Sequence, residues 1–110
     1  MTDDILFEGT IAPMNISLNR FGSYSMAQYD FTIYAFCTSS KVVEIPKSEA
    51  IAVDDDNYMF WVDTTKTGVG NLRFAVKALI PDPNLPEFVR PEIIEVDSGY
   101  KVVKSVATKR

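Results

Sequence analysis

Histidine is absent from this 110-residue chain. That removes Ser-His-Asp and Cys-His nucleophile chemistry, histidine general bases and most catalytic zinc sites. Cysteine is nearly absent as well. A lone Cys37 cannot close an intramolecular disulfide, so the fold stands without a staple and tolerates a reducing compartment. Cys37 follows Phe36 at the end of an apolar run and reads as a buried, inert thiol, because reactive thiols need an electropositive, partly open site. Positive charge is scarce: 11 Lys and Arg face 15 Asp and Glu, a net charge of -4. The basic footprint needed for nucleic acid or an anionic membrane is missing. No apolar run approaches the roughly 18 residues of a spanning helix. The acidic start Met1-Thr2-Asp3-Asp4 has no apolar leader, so the chain is expected to be used in the cytoplasm or to leave it as part of an assembly or by lysis.

What remains is a chain with ordinary globular composition, 46% hydrophobic and 24% charged, which argues for one folded domain. A chain of this size buries roughly 65% of its unfolded surface, enough for one core. Prolines at 13, 46, 81, 83, 86 and 91 and glycines at 9, 22, 68, 70 and 99 separate short runs rich in Val, Ile, Thr, Tyr and Phe. Those side chains suit a pleated, half-buried surface. Strands are expected at Ile5–Ile11, Asn15–Asn19, Tyr29–Cys37, Lys41–Ile45, Ala50–Val53, Tyr58–Asp63 and Leu72–Ile80. A last pair, Glu92–Asp97 and Tyr100–Lys104, would form a hairpin across Ser98-Gly99. Short strands at this spacing suggest a sandwich or a barrel, and the expected form is an all-β, immunoglobulin-like β-sandwich of seven or eight antiparallel strands spanning residues 1–104. Leu72–Ile80 also fits a helix, with Leu72, Ala75, Val76 and Leu79 on one stripe; Gly70 before it and Pro81 after it favour a strand. Ile80–Pro91, with four prolines, reads as a long ordered loop, and residues 105–110 as a frayed basic tail.

Three motifs invite chemistry and are met by plainer readings. Asp54-Asp55-Asp56-Asn57 lacks the alternate ligands, central glycine and distant glutamate of a calcium loop, and Asp and Asn cap turns readily. Gly68-Val69-Gly70 is followed by Asn71-Leu72 where a phosphate loop requires Lys-Ser/Thr, so a tight inter-strand turn is expected. The carboxylates offer no reason to single out a glycosidase pair. Asn15-Ile16-Ser17 is a formal glycosylation sequon without significance in a chain that lacks a leader. The reading is therefore non-enzymatic, with no cofactor and no metal.

The distinctive feature is a surplus of apolar side chains on both faces of two strands. Phe31, Ile33 and Ala35 share one face, and Thr32, Tyr34 and Phe36 the other. Tyr58, Phe60 and Val62 share one face, and Met59, Trp61 and Asp63 the other. A sandwich sheet normally wets its outer face. Either a loop such as Ile80–Pro91 covers the second face, or a subunit does, and Tyr34, Phe36, Met59 and Trp61 are the interface candidates. Carbohydrate stacking on Trp61 and a tyrosine is a narrower form of the second option.

Asp30-Phe31-Thr32-Ile33-Tyr34, Val62-Asp63-Thr64, Thr67-Gly68-Val69-Gly70-Asn71-Leu72, Ile80-Pro81-Asp82-Pro83-Asn84-Leu85-Pro86 and Arg90-Pro91-Glu92-Ile93 together resemble small immunoglobulin-like proteins encoded by phages and prophage-like elements of Bacteroides-type gut bacteria. The resemblance spans residues 10–104 and consists of strand-and-turn patterns. It implies a virion- or tail-associated structural role, such as a baseplate, fibre or capsid-decoration unit, partnered by itself or by other structural proteins. It carries no functional residues. The paired cysteines of antibody-type domains are missing.

Overall fold

The computed structural model describes residues 4–104; the basic tail 105–110 lies outside the described residues. Eight strands form two sheets: β1 (Asp4–Phe7), β2 (Ile11–Ser17), β3 (Asp30–Thr38), β4 (Lys41–Pro46), β5 (Ile51–Asp54), β6 (Asn57–Asp63), β7 (Gly70–Pro81) and β8 (Val89–Val103). A five-stranded sheet runs β1-β8-β7-β3-β4 and a three-stranded sheet runs β2-β6-β5. The chain is an all-β sandwich. Period-two alternation builds its interior. Phe31, Ile33 and Ala35 of β3 and Leu72, Phe74, Val76, Ala78 and Ile80 of β7 face Ala12, Met14 and Ile16 of β2 and Tyr58, Phe60 and Val62 of β6. Phe60 packs edge-on against Phe74 at 5.3 Å and Phe31 against Tyr58 at 5.1 Å, so β6 lies over β7 and β3.

β7 is a strand along its full length, so the helical alternative for Leu72–Ile80 does not form. A strand buries five alternate apolar side chains and leaves Arg73 and Lys77 in water, which a helix could not do here. Five local expectations are corrected. The predicted Ile5–Ile11 strand breaks at Gly9, whose φ of 103° turns the chain from β1 to β2. β1 then pairs with β8 in parallel, an exception to the antiparallel pattern. The Glu92–Asp97 and Tyr100–Lys104 hairpin is instead one strand, β8, kinked by a bulge opposite Leu72. Gly99 takes φ 78°, and the Ser98 hydroxyl donates to the Leu72 carbonyl at 2.7 Å while accepting from the Tyr100 amide at 3.0 Å. Two residues therefore leave the ladder without a reversal of the chain.

The segment Ile80–Pro91 is also shorter as a loop than expected. The β7–β8 ladder continues through Leu79↔Pro91, Ile80↔Arg90 and Pro81↔Val89, leaving Asp82–Phe88 as the connection. Asp82 closes it, its carboxylate accepting from the Asn84 amide at 3.0 Å and lying 3.6 Å from Arg90. The Gly68-Val69-Gly70 segment is not a tight hairpin turn. β6 runs into a one-turn helix, Thr64–Thr67, N-capped by the Asp63 carboxylate, which accepts from the Thr65 amide at 3.0 Å; Gly68 ends the turn at φ 78°.

Two polar ties hold loops to the sandwich. Lys47 begins a short 3₁₀ turn, Lys47–Glu49, after β4. Its Nζ donates to the carbonyls of Met26 at 3.0 Å, Ala27 at 3.2 Å and Tyr29 at 2.8 Å, and sits 5.5 Å from the Phe31 ring centroid. Buried Thr64 accepts from the Gly9 amide at 2.9 Å and donates to the Thr10 carbonyl at 2.7 Å, joining the β1–β2 turn to the end of β6.

Candidate interaction surfaces

The four candidate aromatic and methionine side chains divide between opposite faces of the sandwich. Tyr34 and Phe36 lie on the outer face of the five-stranded sheet, and Met59 and Trp61 on the outer face of the three-stranded sheet. No single patch on one subunit can contain all four. The difference follows from register. β3 and β6 belong to different sheets, so their second faces point away from each other.

The Tyr34–Phe36 face is wet and mixed in charge. Tyr34 pairs across with Glu44 and Ala75, and Phe36 with Val42 and Arg73. Arg73 lies 3.7 Å from Glu95, and exposed Lys77 pairs across with Ile93. Both rings are half-buried among these stems, an ordinary way to shelter apolar surface on a solvated sheet. The ends of Ile80–Pro91, one of the two covers offered, extend the β7–β8 ladder, and Asp82–Phe88 connects them.

The Met59–Trp61 face is different. β2 and β6 place Ile11, Pro13, Asn15 and Ser17 beside Asp63, Trp61, Met59 and Asn57, with Ile51 of β5 next to Met59. Ile11 is 62% exposed, Trp61 45% and Ile51 49%. β2 and β6 contribute one ionisable side chain to this face, Asp63 beside Ile11, and β5 adds Asp54 beside Asn57, one at each end of the patch. Burying this patch would therefore desolvate little charge. Ile11, Pro13 and Ile51 were not singled out from sequence. The alternation Ile11-Pro13-Asn15-Ser17 carries the signal, but placing Ile11 at the end of a strand rather than at the start of β2 hid it.

A third surface is concave. A groove of about 360 Å³ is lined by Pro13–Ser17 of β2 and by Phe74, Val96, Asp97, Ser98 and Tyr100. A second recess, lined by Ser17, Leu18, Asn19, Phe21, Ile94 and Val96, continues it.

The remaining motifs are structural in their surroundings. Asp54 accepts from the Asp56 amide and the Asn57 side chain, both at 2.8 Å, and these bonds hold its carboxyl below the usual carboxylate range. Asp56 pairs bidentately with Arg20. Cys37 is half-buried rather than buried; its thiol donates to the Gly70 carbonyl at 3.4 Å, and desolvation pushes its pKa up. Both effects keep it a poor nucleophile at neutral pH. Among the described residues no helix is long and apolar enough to cross a membrane. Compared with family models, curated proteins and solved structures, the chain matches none.

Proposed function

We propose that this chain is a non-enzymatic structural module that assembles with further copies of itself through the outer face of its three-stranded sheet. The observation that carries the reading is the exposed apolar patch of Trp61, Ile11, Pro13 and Ile51, bordered by Asp63, with half-buried Met59 at its centre. Aromatic side chains and Met are enriched in interface cores while charges are depleted there. The absence of histidine agrees with a non-catalytic role. Resemblance to phage-encoded immunoglobulin-like proteins supports an immunoglobulin-like sandwich working in a virion, tail, baseplate or fibre.

Sedimentation at micromolar concentration tests the reading. The wild-type chain should form a defined oligomer. Trp61→Ala should weaken association roughly thirtyfold, as expected for a central aromatic worth about 2 kcal/mol, and leave a folded monomer. A wild-type chain that stays monomeric, or an oligomer indifferent to the substitution, would sink the proposal. Asn15 and Asp63 flank Trp61 on the same face, an arrangement that also suits stacking of a sugar ring. Glycan-array binding by a monomeric wild type, lost in Trp61→Ala, would select that second reading.

A further inference from the structure

β1 is lightly held. It has four residues and pairs with β8 alone, in parallel, through Asp4↔Tyr100, Ile5↔Lys101, Leu6↔Val102 and Phe7↔Val103. Parallel ladders are slightly weaker per residue than antiparallel ones. Among the described residues, no side chain of β1 belongs to the buried core. Ile5 and Phe7 stay more than half exposed, and Leu6 packs only partly against the interior. β1 could therefore leave while β8-β7-β3-β4 still faces β2-β6-β5. Its departure would uncover Val102, which is fully buried beside Leu6.

A hinge and a latch sit at the end of β1. The Thr10 amide donates to the Phe7 carbonyl at 3.0 Å, which folds Glu8–Thr10 into a tight turn. Gly9 takes φ 103° in that turn, a value that other residues adopt only with strain. The buried Thr64 hydroxyl fastens it. It accepts from the Gly9 amide at 2.9 Å, donates to the Thr10 carbonyl at 2.7 Å and lies 3.3 Å from the Phe7 carbonyl oxygen. These bonds belong to the turn and are separate from the β1–β8 ladder, so extending the turn breaks them and leaves the pairing surface of β1 unchanged.

We infer that β1 is an exchange strand: two copies of the chain open their Glu8–Thr10 hinges, and each lays its β1 on the β8 of the other. This association goes beyond the Trp61 face and does not depend on it. The occupant is fixed by the structure, because the sequence that fits beside Tyr100–Val103 is already seated there. The β1–β8 contacts are remade between copies. Exchange therefore costs the opening of two hinges and the freedom lost on association, and little else. Protein concentration sets the balance. Gly9 and the Thr64 hydroxyl hold the monomer, and losing either shifts the balance towards the exchanged dimer.

The test reads which chain β1 rests on. Ile5 and Lys101 are exposed register partners, so Ile5→Cys on one chain and Lys101→Cys on another come together only after exchange. Both full-length chains also carry Cys37→Ser, which removes the native thiol, and Trp61→Ala, which silences the other face. They are mixed at millimolar concentration, oxidised and separated on a denaturing gel. A mixed disulfide dimer should form in excess over the collision level, set by pairing the Ile5→Cys chain with a Ser40→Cys chain. Gly9→Val keeps the hinge amide but opposes its positive φ, and should raise the mixed dimer at least about tenfold. Should that variant fail to fold, Thr64→Val removes the latch hydroxyl, leaves the backbone alone and should raise the product in the same direction. A mixed dimer at the collision level with the unaltered hinge would overturn the inference, whatever the hinge variants do. So would a chain carrying both cysteines that closes only within itself. Cross-linking in the Trp61→Ala background reports exchange alone, whereas dissociation by Trp61→Ala in sedimentation reports the sheet face alone, so failure of one is distinguishable from failure of the other.

Discussion

Tyr29 is 2% exposed, and its hydroxyl finds no hydrogen-bond partner among the described residues. Its ring packs edge-on against Phe21 at 5.6 Å and Phe31 at 6.3 Å, so the residue acts as an apolar ring with an orphan polar atom. Removing an unpaired buried hydroxyl relieves desolvation without breaking a bond. Tyr29→Phe should therefore be neutral or stabilising in urea unfolding at pH 7. Burial pushes the phenol from 10.0 up to about 12. The native state then holds the proton where the unfolded chain has released it, so stability declines as pH rises from about 10 to about 12. The Phe variant should lose that part of the alkaline decline; an unchanged alkaline profile would refute the assignment. Lys47 behaves in the opposite way. Its three carbonyl acceptors and two aromatic neighbours are all satisfied by one ammonium. Lys47→Met keeps the stem and removes the bonds, and should lower urea stability by about 1–3 kcal/mol.

At the scale of elements, β8 shows how glycine reads ambiguously. Ser98-Gly99 between two apolar runs matches a hairpin signal, yet both runs pair with the same neighbour, β7. A turn and a bulge both use a positive-φ glycine, and only the identity of the pairing strand separates them. A Cβ placed on Gly99 meets nothing within 4 Å. Gly99→Ala should therefore pay only the backbone penalty, about 1–2 kcal/mol, visible as a lowered melting temperature with an unchanged sheet spectrum. A much larger loss would mean that the bulge sits in a tighter environment than the open one observed. The continuous β8 also shapes the groove beside β2. Its bulge lies between Asp97 and Lys101, at the floor of the groove, where a hairpin would have closed the sheet instead.

At the scale of the molecule, a 12-residue β7 and a 15-residue β8 draw the sandwich out to 53 × 27 × 27 Å. The two ends of the proline-rich segment join the β7–β8 ladder, and Asp82–Phe88 connects the strands at the tip of this long hairpin. The molecule consequently presents three surfaces of different character: a sheet face of mixed charge around Tyr34 and Phe36, a more apolar one around Trp61, and an edge groove beside β2. We propose self-association through the second, because few charges and an exposed aromatic suit an interface core.

Period-two alternation and frequent turn residues were sufficient, read from the sequence alone, to establish a two-layer β fold and most strand positions. Side chains in a strand face alternate sides whatever their partners are, so Phe31, Phe60, Phe74 and Val76 could be assigned to an interior in advance. Pairing could not be read in this way. Whether β3 and β6 share a sheet depends on contacts between residues far apart in the chain, and that decision sent Tyr34 and Phe36 to one side of the molecule and Met59 and Trp61 to the other. The unequal width of the sheets, and with it the open edge of β2, likewise exists only once eight strands have been distributed between two layers.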